Sequence, residues 1–369
     1  MLKMFLAGIV IVLLFACKYD AMDSIVATPS NMTFDLNQID HILFTNDNGS
    51  LIAGSFNGKS TLIKTNDNFD IEWTKNDYEW GNLIFGSGWG SSFYSIQIIK
   101  AFQQNDGSYV CFGTILEGGD VVWSKLLIIV LNRRGEQVRQ VEISHLSLKN
   151  VMQTSDNGYL LFGNKYIKLD AGFNQQWEKT NAYQNQITTT SDGGFATTGS
   201  YNNDQVMLKK FNSAGNELFS RTYKHNEFPF EEAGFDLTQL SDQGFLIVGR
   251  YGKSFVPNLI NCQMIRTNAV GDTLWTKRFG YATNDWLEKF LSVNQNEVVV
   301  QGAIGFPNEN QKSLLIKINS DGALLDSVST KKFEMMVYSP TKSYIKVLKS
   351  DDSHIVFTKI EPNQLFTKD

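Results

Sequence analysis

The chain has 369 residues, of which 42% are hydrophobic and 12% aromatic, so it is long enough to bury a large core. Its formal net charge is −5 and no basic cluster stands out, which argues against nucleic-acid binding because that function normally needs a concentrated positive surface. The 29 glycines, against 6 prolines, are typical of many strands joined by tight turns.

The N-terminus has the features of an export signal. Lys3 provides a positive start, and residues 6–14 form a short apolar run. Because this run is too short to span a bilayer comfortably, the sequence predicts a cleaved signal peptide over residues 1–16. An uncleaved membrane anchor is the alternative.

Cys17 directly follows this apolar region. The tetrapeptide Leu14-Phe-Ala-Cys17 resembles the lipobox of bacterial lipoproteins, where the signal is cut before a cysteine that then carries a lipid. The resemblance implies a lipid on Cys17 that anchors an exported chain to the membrane, with the outer membrane of the cell envelope as the expected location. Residues 17–30 would then be a tether, and an ordinary signal peptide without lipidation is the alternative.

A turn signature recurs along the rest of the chain. It is Asp-x-Gly or a near relative, followed by an apolar run that ends in glycine seven positions after the Asp. Such a turn between apolar runs predicts a hairpin, because Gly or Asn accepts the positive φ that tight turns demand. The copies start at Asp47, Asp106, Asp156, Asp192 and Asp242, with degenerate copies at Gln295 and Asp351.

A second signature follows the first in six of the seven units. It runs from an Asn or Asp, after an apolar stretch, to a bulky residue seven positions later. In the first unit along the chain, Asn68 takes the place that Gly172 has in the third unit, which predicts a left-handed residue there. The copies are Asn66 to Trp73, Asp170 to Trp177, Asn212 to Phe219 and Asn268 to Trp275, with weaker ones at Asn132 to Arg139 and Asn319 to Asp326.

Each unit has room for four strands. In the fifth, the first strand is expected to end near Leu240, and the others are expected at 245–248, 262–267 and around 273–275. About seven units of four antiparallel strands predict an all-β fold, a single β-propeller over residues 31–369. Trp73, Trp177, Phe219 and Trp275 would then recur at one position where blades pack together.

The seventh unit is incomplete, because only eleven residues follow Thr358. A strand from residues 24–36 is predicted to complete this blade, which closes the ring and removes exposed sheet edges. A solenoid or an open sandwich is the alternative architecture.

Two stretches carry a resemblance to a known group of proteins. Residues 190–195 (Thr-Ser-Asp-Gly-Gly-Phe) and 166–170 (Tyr-Ile-Lys-Leu-Asp) are similar to repeats of secreted bacterial propellers. That group includes quinoprotein-dehydrogenase-like propellers and the lipid-anchored propeller that helps to assemble outer-membrane proteins. The resemblance covers roughly residues 38–360 and implies the fold, while propellers serve many unrelated tasks. No run of residues argues for a bound quinone, so no cofactor is predicted.

The two faces of the predicted propeller differ. Turns between strands one and two, and three and four, form a turn face of short, uniform connections. Connections between strands two and three, and links between blades, form a loop-rich face that is variable and aromatic, where binding usually develops. Aromatics with scattered carboxylates and amides suit a protein or carbohydrate partner, unless they only cover the blade seams. The candidate binding residues are Tyr78, Trp80, Phe85, Trp89, Trp123, His225, Phe228, Phe230 and Trp286.

Signals for catalysis are few. The histidines, at 41, 145, 225 and 354, lack metal-ligand spacing, so no metal site is predicted. His225 alone shares a candidate loop with carboxylates, those of Glu227, Glu231 and Glu232. Cys111 and Cys262 lie in apolar runs of different repeats and are expected to be buried free thiols, with a disulfide as the alternative.

These observations favour a lipid-anchored, exported propeller that acts as a binding or assembly module through its loop-rich face. The partners expected are the membrane, through the lipid on Cys17, and a protein or a carbohydrate. The alternative is a cell-envelope enzyme that acts on glycans, with carboxylates facing one another near the mouth of the central channel. A purely structural component of a larger complex is a third hypothesis.

Overall fold

The computed structural model describes residues 31–76, 94–117, 123–144, 147–180, 184–202, 204–224, 231–252, 260–280, 284–294, 296–305, 311–341, 343–350 and 354–366. Within these ranges the chain forms seven four-stranded antiparallel sheets, so the predicted β-propeller is confirmed. The part of the chain so described contains no helix that is long and apolar enough to cross a membrane.

The first three blades follow the chain in order. Blade 1 has β2 (Gln38–Phe44), β3 (Ser50–Phe56), β4 (Lys59–Thr65) and β5 (Ile71–Asn76). Blade 2 has β6 (Tyr94–Gln103), β7 (Tyr109–Glu117), β8 (Trp123–Leu131) and β9 (Gln137–Ser144). Blade 3 has β10 (Leu148–Gln153), β11 (Tyr159–Gly163), β12 (Lys165–Leu169) and β13 (Gln175–Thr180).

The next three blades repeat the pattern. Blade 4 has β14 (Gln184–Thr189), β15 (Phe195–Tyr201), β16 (Gln205–Phe211) and β17 (Glu217–Tyr223). Blade 5 has β18 (Glu231–Gln239), β19 (Phe245–Gly252), β20 (Ile260–Thr267) and β21 (Thr273–Phe279). Blade 6 has β22 (Asp285–Val293), β23 (Glu297–Ile304), β24 (Lys312–Asn319) and β25 (Leu324–Lys331). The first strand of each blade is innermost, and the first strands of consecutive blades contact one another from blade 1 to blade 7.

Blade 7 joins the two ends of the chain. It has β26 (Met335–Tyr338), β27 (Tyr344–Lys349) and β28 (His354–Ile360), with β1 (Asn31–Asp35) as its outermost strand. The closing strand lies within the predicted residues 24–36. One apolar cluster, which includes Phe34 and Phe357 of blade 7 and Ile39 of blade 1, packs the last blade against the first.

The Asp-x-Gly turn is held by its aspartate. In blade 3, Asp156 accepts the Thr154 hydroxyl at 2.5 Å and the Gly158 N–H at 3.1 Å, and its carboxylate lies 2.8 Å from the buried Lys168 ammonium. The left-handed φ belongs to the middle residue, Asn157, as the composition of the turn predicts. Gly158 serves a different purpose, because a Cβ there would collide with the Leu169 carbonyl. The aspartate of the turn therefore also pairs with a buried lysine.

The glycine that ends the signature faces a β-bulge in the innermost strand. Gly163 pairs with Leu148, and the register shifts between Leu148 and Asn150. The bulge brings the Ser147 carbonyl so close that a Cβ on Gly163 would collide with it. The same register shift occurs in the innermost strand of each of blades 1 to 6.

The recurring aromatic residues pack where predicted, at the outer seams between blades. Trp177 of blade 3 lies against Gly215, in the third turn of blade 4, so closely that a Cβ there would be 2.9 Å from the indole. Gly215 has a φ of 75°, which favours glycine independently. The same contact joins Trp73 to Gly135, Phe219 to Gly271 and Trp275 to Gly322.

The arrangement is reversed at the seams where blades 1 and 3 pack against the preceding blade. The prediction of which residue in these turns is left-handed is wrong. The left-handed residues in the third turns of blades 1 and 3 are Phe69 and Phe173, with φ of 65° and 68°, and not Asn68 and Gly172. Phe173 stacks on Tyr159 at 5.7 Å, beneath the Arg139 guanidinium of blade 2 at 5.1 Å. At this seam the turn supplies the aromatic ring, because blade 2 has Arg139 at the position of the recurring aromatic residue.

Candidate functional site: the loop-rich face and the central channel

Most of the predicted binding residues lie outside the described residues. Trp123 is the first residue of β8, at the loop-rich face. Trp286 belongs to β22, where its half-buried indole N–H donates to Glu288 Oε1 at 3.0 Å. The residues outside the described ranges are Tyr78, Trp80, Phe85, Trp89, His225, Phe228 and Phe230, together with the predicted lipidation site Cys17.

The strands extend further toward the loop-rich face than the sequence suggests. Glu231 and Glu232, expected in a loop beside His225, form the start of β18 and pair with Gly252 and Tyr251. Glu232 is only 1% exposed. The sequence pattern does not predict this extension, because the residues at the strand ends are polar. The alternation of apolar and polar residues stops there, although the backbone pairing continues.

Glu232 belongs to a polar network at the rim between blades 4 and 5. Gln263 Nε2 donates to Glu232 Oε2 at 3.2 Å, and Arg278 Nε donates to Gln263 Oε1 at 3.0 Å. The Arg278 guanidinium also lies 4.7 Å from the centroid of the Tyr251 ring. Glu232, Gln263 and Arg278 border a cavity of about 360 Å³ next to Lys224, so mutual hydrogen bonds fix this part of its wall.

A layer of polar side chains occupies the central channel, and the sequence analysis missed it. Its members are the residues that follow the bulge in each innermost strand. Each lies six positions before the first residue of its Asp-x-Gly turn, and this fixed offset is the signal that identifies the layer. The layer consists of His41, Lys100, Asn150, Gln186, Asp236 and Lys289.

Three members of this layer satisfy the bulges. A bulge leaves a backbone N–H without its ladder partner, and such a group needs another acceptor when buried. Asn150 Oδ1 accepts the next residue's N–H at 2.8 Å, and Gln186 Oε1 does so at 3.0 Å. Asp236 accepts two, from Leu237 at 2.9 Å and from Phe290 of blade 6 at 2.9 Å. The amide of Asn150 also donates to Gln186 at 2.7 Å, which joins two blades.

The charged members have shifted pKa values. Burial raises the pKa of Asp236 to about 6, although the two backbone N–H groups and the nearby Lys289 and Lys100 act in the opposite direction. Burial lowers the pKa of both lysines. Burial, and then the charge of Lys100, lowers the pKa of His41 to about 3, so His41 is neutral at physiological pH. These side chains retain some solvent contact, but inner strands surround them and disfavour their charged forms.

The carboxylates along the channel have protein partners. Both oxygens of Asp236 accept backbone N–H groups, and Asp40 accepts the amides of Gln38 at 2.7 Å and Gln97 at 2.9 Å. Glu288 accepts Trp286 and, at 3.2 Å, Gln301. Such contacts favour a structural role for these groups over acid–base catalysis. Within the described ranges, no group of three or more His, Cys, Asp or Glu side chains could hold a metal ion.

The free thiols among the described residues are those of Cys111 and Cys262. Both are buried within the blades, as expected, and neither forms a disulfide. Burial raises the pKa of Cys111 to about 12 and raises that of Cys262. Their thiolates are therefore strongly disfavoured, which is typical of structural cysteines.

Comparison with known proteins supports the fold. No protein-family model and no curated protein matches the chain. The Dos1 propeller is similar in structure, with 8% identity, a TM-score of 0.53 and coverage of 87% of this chain and 77% of that chain. BBS1N, solved in complex with ARL6DN, is similar with 8% identity and a TM-score of 0.53, over 92% of this chain and 97% of that chain. At such identity the likeness establishes the propeller fold alone.

Proposed function

We propose that this chain is an exported, lipid-anchored propeller that binds a protein partner through its loop-rich face. The observation that carries the proposal is the difference between the two faces. In blades 1 to 5 the turn-face hairpins keep the same hydrogen bond, from the N–H two residues on to the aspartate carboxylate. On the loop-rich face, Asn164 alone separates β11 from β12, whereas residues 77–93 separate β5 from β6. Connections that vary on a rigid frame are typical of binding surfaces.

The frame beneath these loops is suited to this role. The ring is closed by β1, and the polar layer of the channel links neighbouring blades by side-chain hydrogen bonds, as Asn150 does with Gln186. A rigid scaffold lowers the entropy lost when a partner binds. Trp286 adds a half-buried aromatic side chain at the channel end of blade 6, and tryptophan is enriched among residues that dominate protein interfaces.

A protein partner is favoured over a carbohydrate by one neighbour in structure. BBS1N was solved bound to ARL6DN, so a propeller similar to this one engages a protein. Carbohydrate binding remains an outcome of the test below. The geometry of the channel does not support catalysis on glycans. The described carboxylates along the channel already accept hydrogen bonds from N–H groups of the protein.

The anchor fits the geometry of the ring. β1 leads through Leu36 and Asn37 into β2, which starts at the loop-rich face, so Asn31 lies at the turn-face end of blade 7. A tether of residues 17–30 would therefore join the propeller at its turn face. A lipid on Cys17 would hold the turn face toward the membrane and leave the loop-rich face open to a partner.

Site-specific photo-crosslinking in the native host tests the partner. A photoreactive amino acid is placed at Trp286, and the matched control carries it at Leu274, which is 57% exposed on the outer strand of blade 5. The proposal expects a discrete protein adduct from position 286 and none from 274. Equal adducts from both positions, or adducts to glycan alone, would contradict it. Retention of Cys17→Ser in the membrane fraction would contradict the anchor separately.

A further inference from the structure

The seam between blades 6 and 7 has no aromatic residue at the outer-strand position that fills four of the other seams. At the position of Trp73, Trp177, Phe219 and Trp275, β25 has Asp326, which pairs with Lys317. Blade 7 cannot supply the ring from its third turn either, because its outermost strand is β1 and the two chain ends replace that turn. Neither of these two sources of an aromatic ring is available here, and the ring beside Lys317 comes from Phe366 of the C-terminal segment, 5.2 Å away.

A large groove results. Its volume is about 980 Å³, compared with about 430 and 390 Å³ at the seams that contain Trp177 and Trp275. Pockets that bind small organic ligands typically measure about 300–1,000 Å³. Apolar side chains from both blades form its walls, and Leu365 of the C-terminal segment borders it. The apolar lining consists of Leu314, Leu315, Val328, Met336, Leu348, Ile360 and Leu365.

Three lysines line the same groove near its loop-rich end. Lys312 and Lys331 are direct register partners on β24 and β25, and like charges placed opposite each other destabilise a sheet. The Lys346 ammonium of blade 7 approaches the same place, 3.5 Å from the hydroxyl of Thr330. No aspartate or glutamate is among the described residues that line the groove, and none of the three lysines forms an ion pair with a described carboxylate.

We propose that this groove binds a single-chain anionic amphiphile, a long-chain fatty acid carboxylate. The three ammonium groups would hold the carboxylate at the loop-rich end, and the acyl chain would lie along the apolar walls toward Leu365. Charge at one end and apolar surface along the rest match a headgroup and a tail. An acidic peptide would need cations repeated along the groove, and these are absent from its described lining. The inference is independent of the partner proposed for the loop-rich face.

Titration of the full chain with cis-parinarate, a fluorescent long-chain carboxylate, tests the proposal. Saturable binding is expected, and palmitate should displace the probe whereas hexadecanol, which lacks the charge, should not. The double variant Lys312→Gln/Lys331→Gln should bind at least roughly tenfold more weakly, because it removes two of three cations. The matched control Lys179→Gln, an exposed residue of the outer strand of blade 3, should bind as the wild type does.

A second variant separates loss of the site from loss of the fold. Val328→Trp places an indole among the apolar walls of the groove and should abolish probe binding, while the melting temperature stays unchanged or rises because the substitution fills a cavity. Without ligand, Lys331→Gln alone should melt slightly higher than the wild type, because it removes one member of the opposed like-charge pair. The proposal is overturned if no saturable binding occurs, if Lys179→Gln loses as much affinity, if hexadecanol competes as well as palmitate, or if only acidic peptides or phosphatidylglycerol vesicles bind.

Discussion

Phe34 is the direct register partner of Ile355, although the two residues lie near opposite ends of the chain. Both are buried, at 2% and 0% exposure, and the Phe34 ring packs edge-on against Phe357 at 4.9 Å. The outermost strand of the last blade therefore comes from the start of the chain, and it contributes core packing as well as backbone hydrogen bonds. Such closure protects the sheet edge that would otherwise be exposed.

The first prediction concerns this strand. Phe34→Ala should lower the free energy of unfolding by about 3–5 kcal/mol, the usual range for removing a buried aromatic ring. Thr33→Ala, at the neighbouring exposed position, should change it by less than about 0.5 kcal/mol. Urea denaturation followed by tryptophan fluorescence measures both. Equal effects of the two substitutions would mean that β1 does not pack as described.

The second prediction uses the reversed seam between blades 2 and 3. Phe173→Gly removes the aromatic ring of that seam and should strongly lower the melting temperature. Adding Arg139→Trp rebuilds the arrangement of the other seams, with an indole over a glycine, and should restore part of the loss. Arg139→Trp alone should destabilise the chain, because Phe173 occupies the space the indole needs. Thermal unfolding of the wild type, the two single variants and the double variant measures the coupling between positions 139 and 173. If the effects of the two substitutions on stability simply add, a tryptophan at 139 does not replace the ring of Phe173.

The third prediction follows from the Asp-x-Gly turns. Partial burial alone would raise the pKa of Asp192, but hydrogen bonds from Thr190, Lys210 and Gly194 together hold that pKa at about 2. A carboxyl whose pKa is lower in the folded state stabilises the fold above its unfolded pKa, and this contribution is lost as pH falls toward 2. Asp192→Asn should therefore lose less stability than the wild type between pH 5 and pH 2. Parallel acid-denaturation curves would refute the role of this pair.

The fourth prediction concerns a carboxyl whose pKa is raised in the folded state, so its contribution to stability changes with pH in the opposite direction. Burial raises the pKa of Asp236 to about 6, so the fold favours the protonated carboxyl. This stabilisation is complete below the unfolded pKa of about 4 and disappears as pH rises through 6. Asp236→Asn cannot ionise, so its melting temperature relative to the wild type should rise between pH 4 and pH 7. Gln186→Asn, a neutral change in the same layer, should show no such trend.

Much of the fold is readable from the sequence because the repeats encode backbone geometry. Gly163 has to be a glycine where the inner strand bulges, and Trp177 has to meet a glycine in the next blade, so both recur at fixed offsets. The left-handed Phe173 could not be foreseen, because its aromatic ring replaces a tryptophan of the preceding blade and this exchange is visible only across a seam. Strand pairing, and not apolar alternation, sets the ends of β18, which is why Glu232 was expected in a loop.

The candidate site is less predictable for a physical reason. Residues of the channel layer, such as Asn150 and Asp236, are polar because bulges leave backbone N–H groups to satisfy. Their types vary from blade to blade, so only their offset from the turn reveals them. The groove between blades 6 and 7 follows from the replacement of a turn by the chain ends, a consequence of ring closure that no single motif records.

One cysteine pair tests directly whether the two ends of the chain meet in one blade. Thr33 and Val356 are register partners on β1 and β28, at a separation that suits a disulfide. We expect Thr33→Cys/Val356→Cys to form an intramolecular disulfide in the folded protein, seen as a cross-linked peptide by mass spectrometry, whereas Thr33→Cys/Lys179→Cys should not. A Thr33–Val356 pair that remains reduced under oxidising conditions would contradict the closed ring.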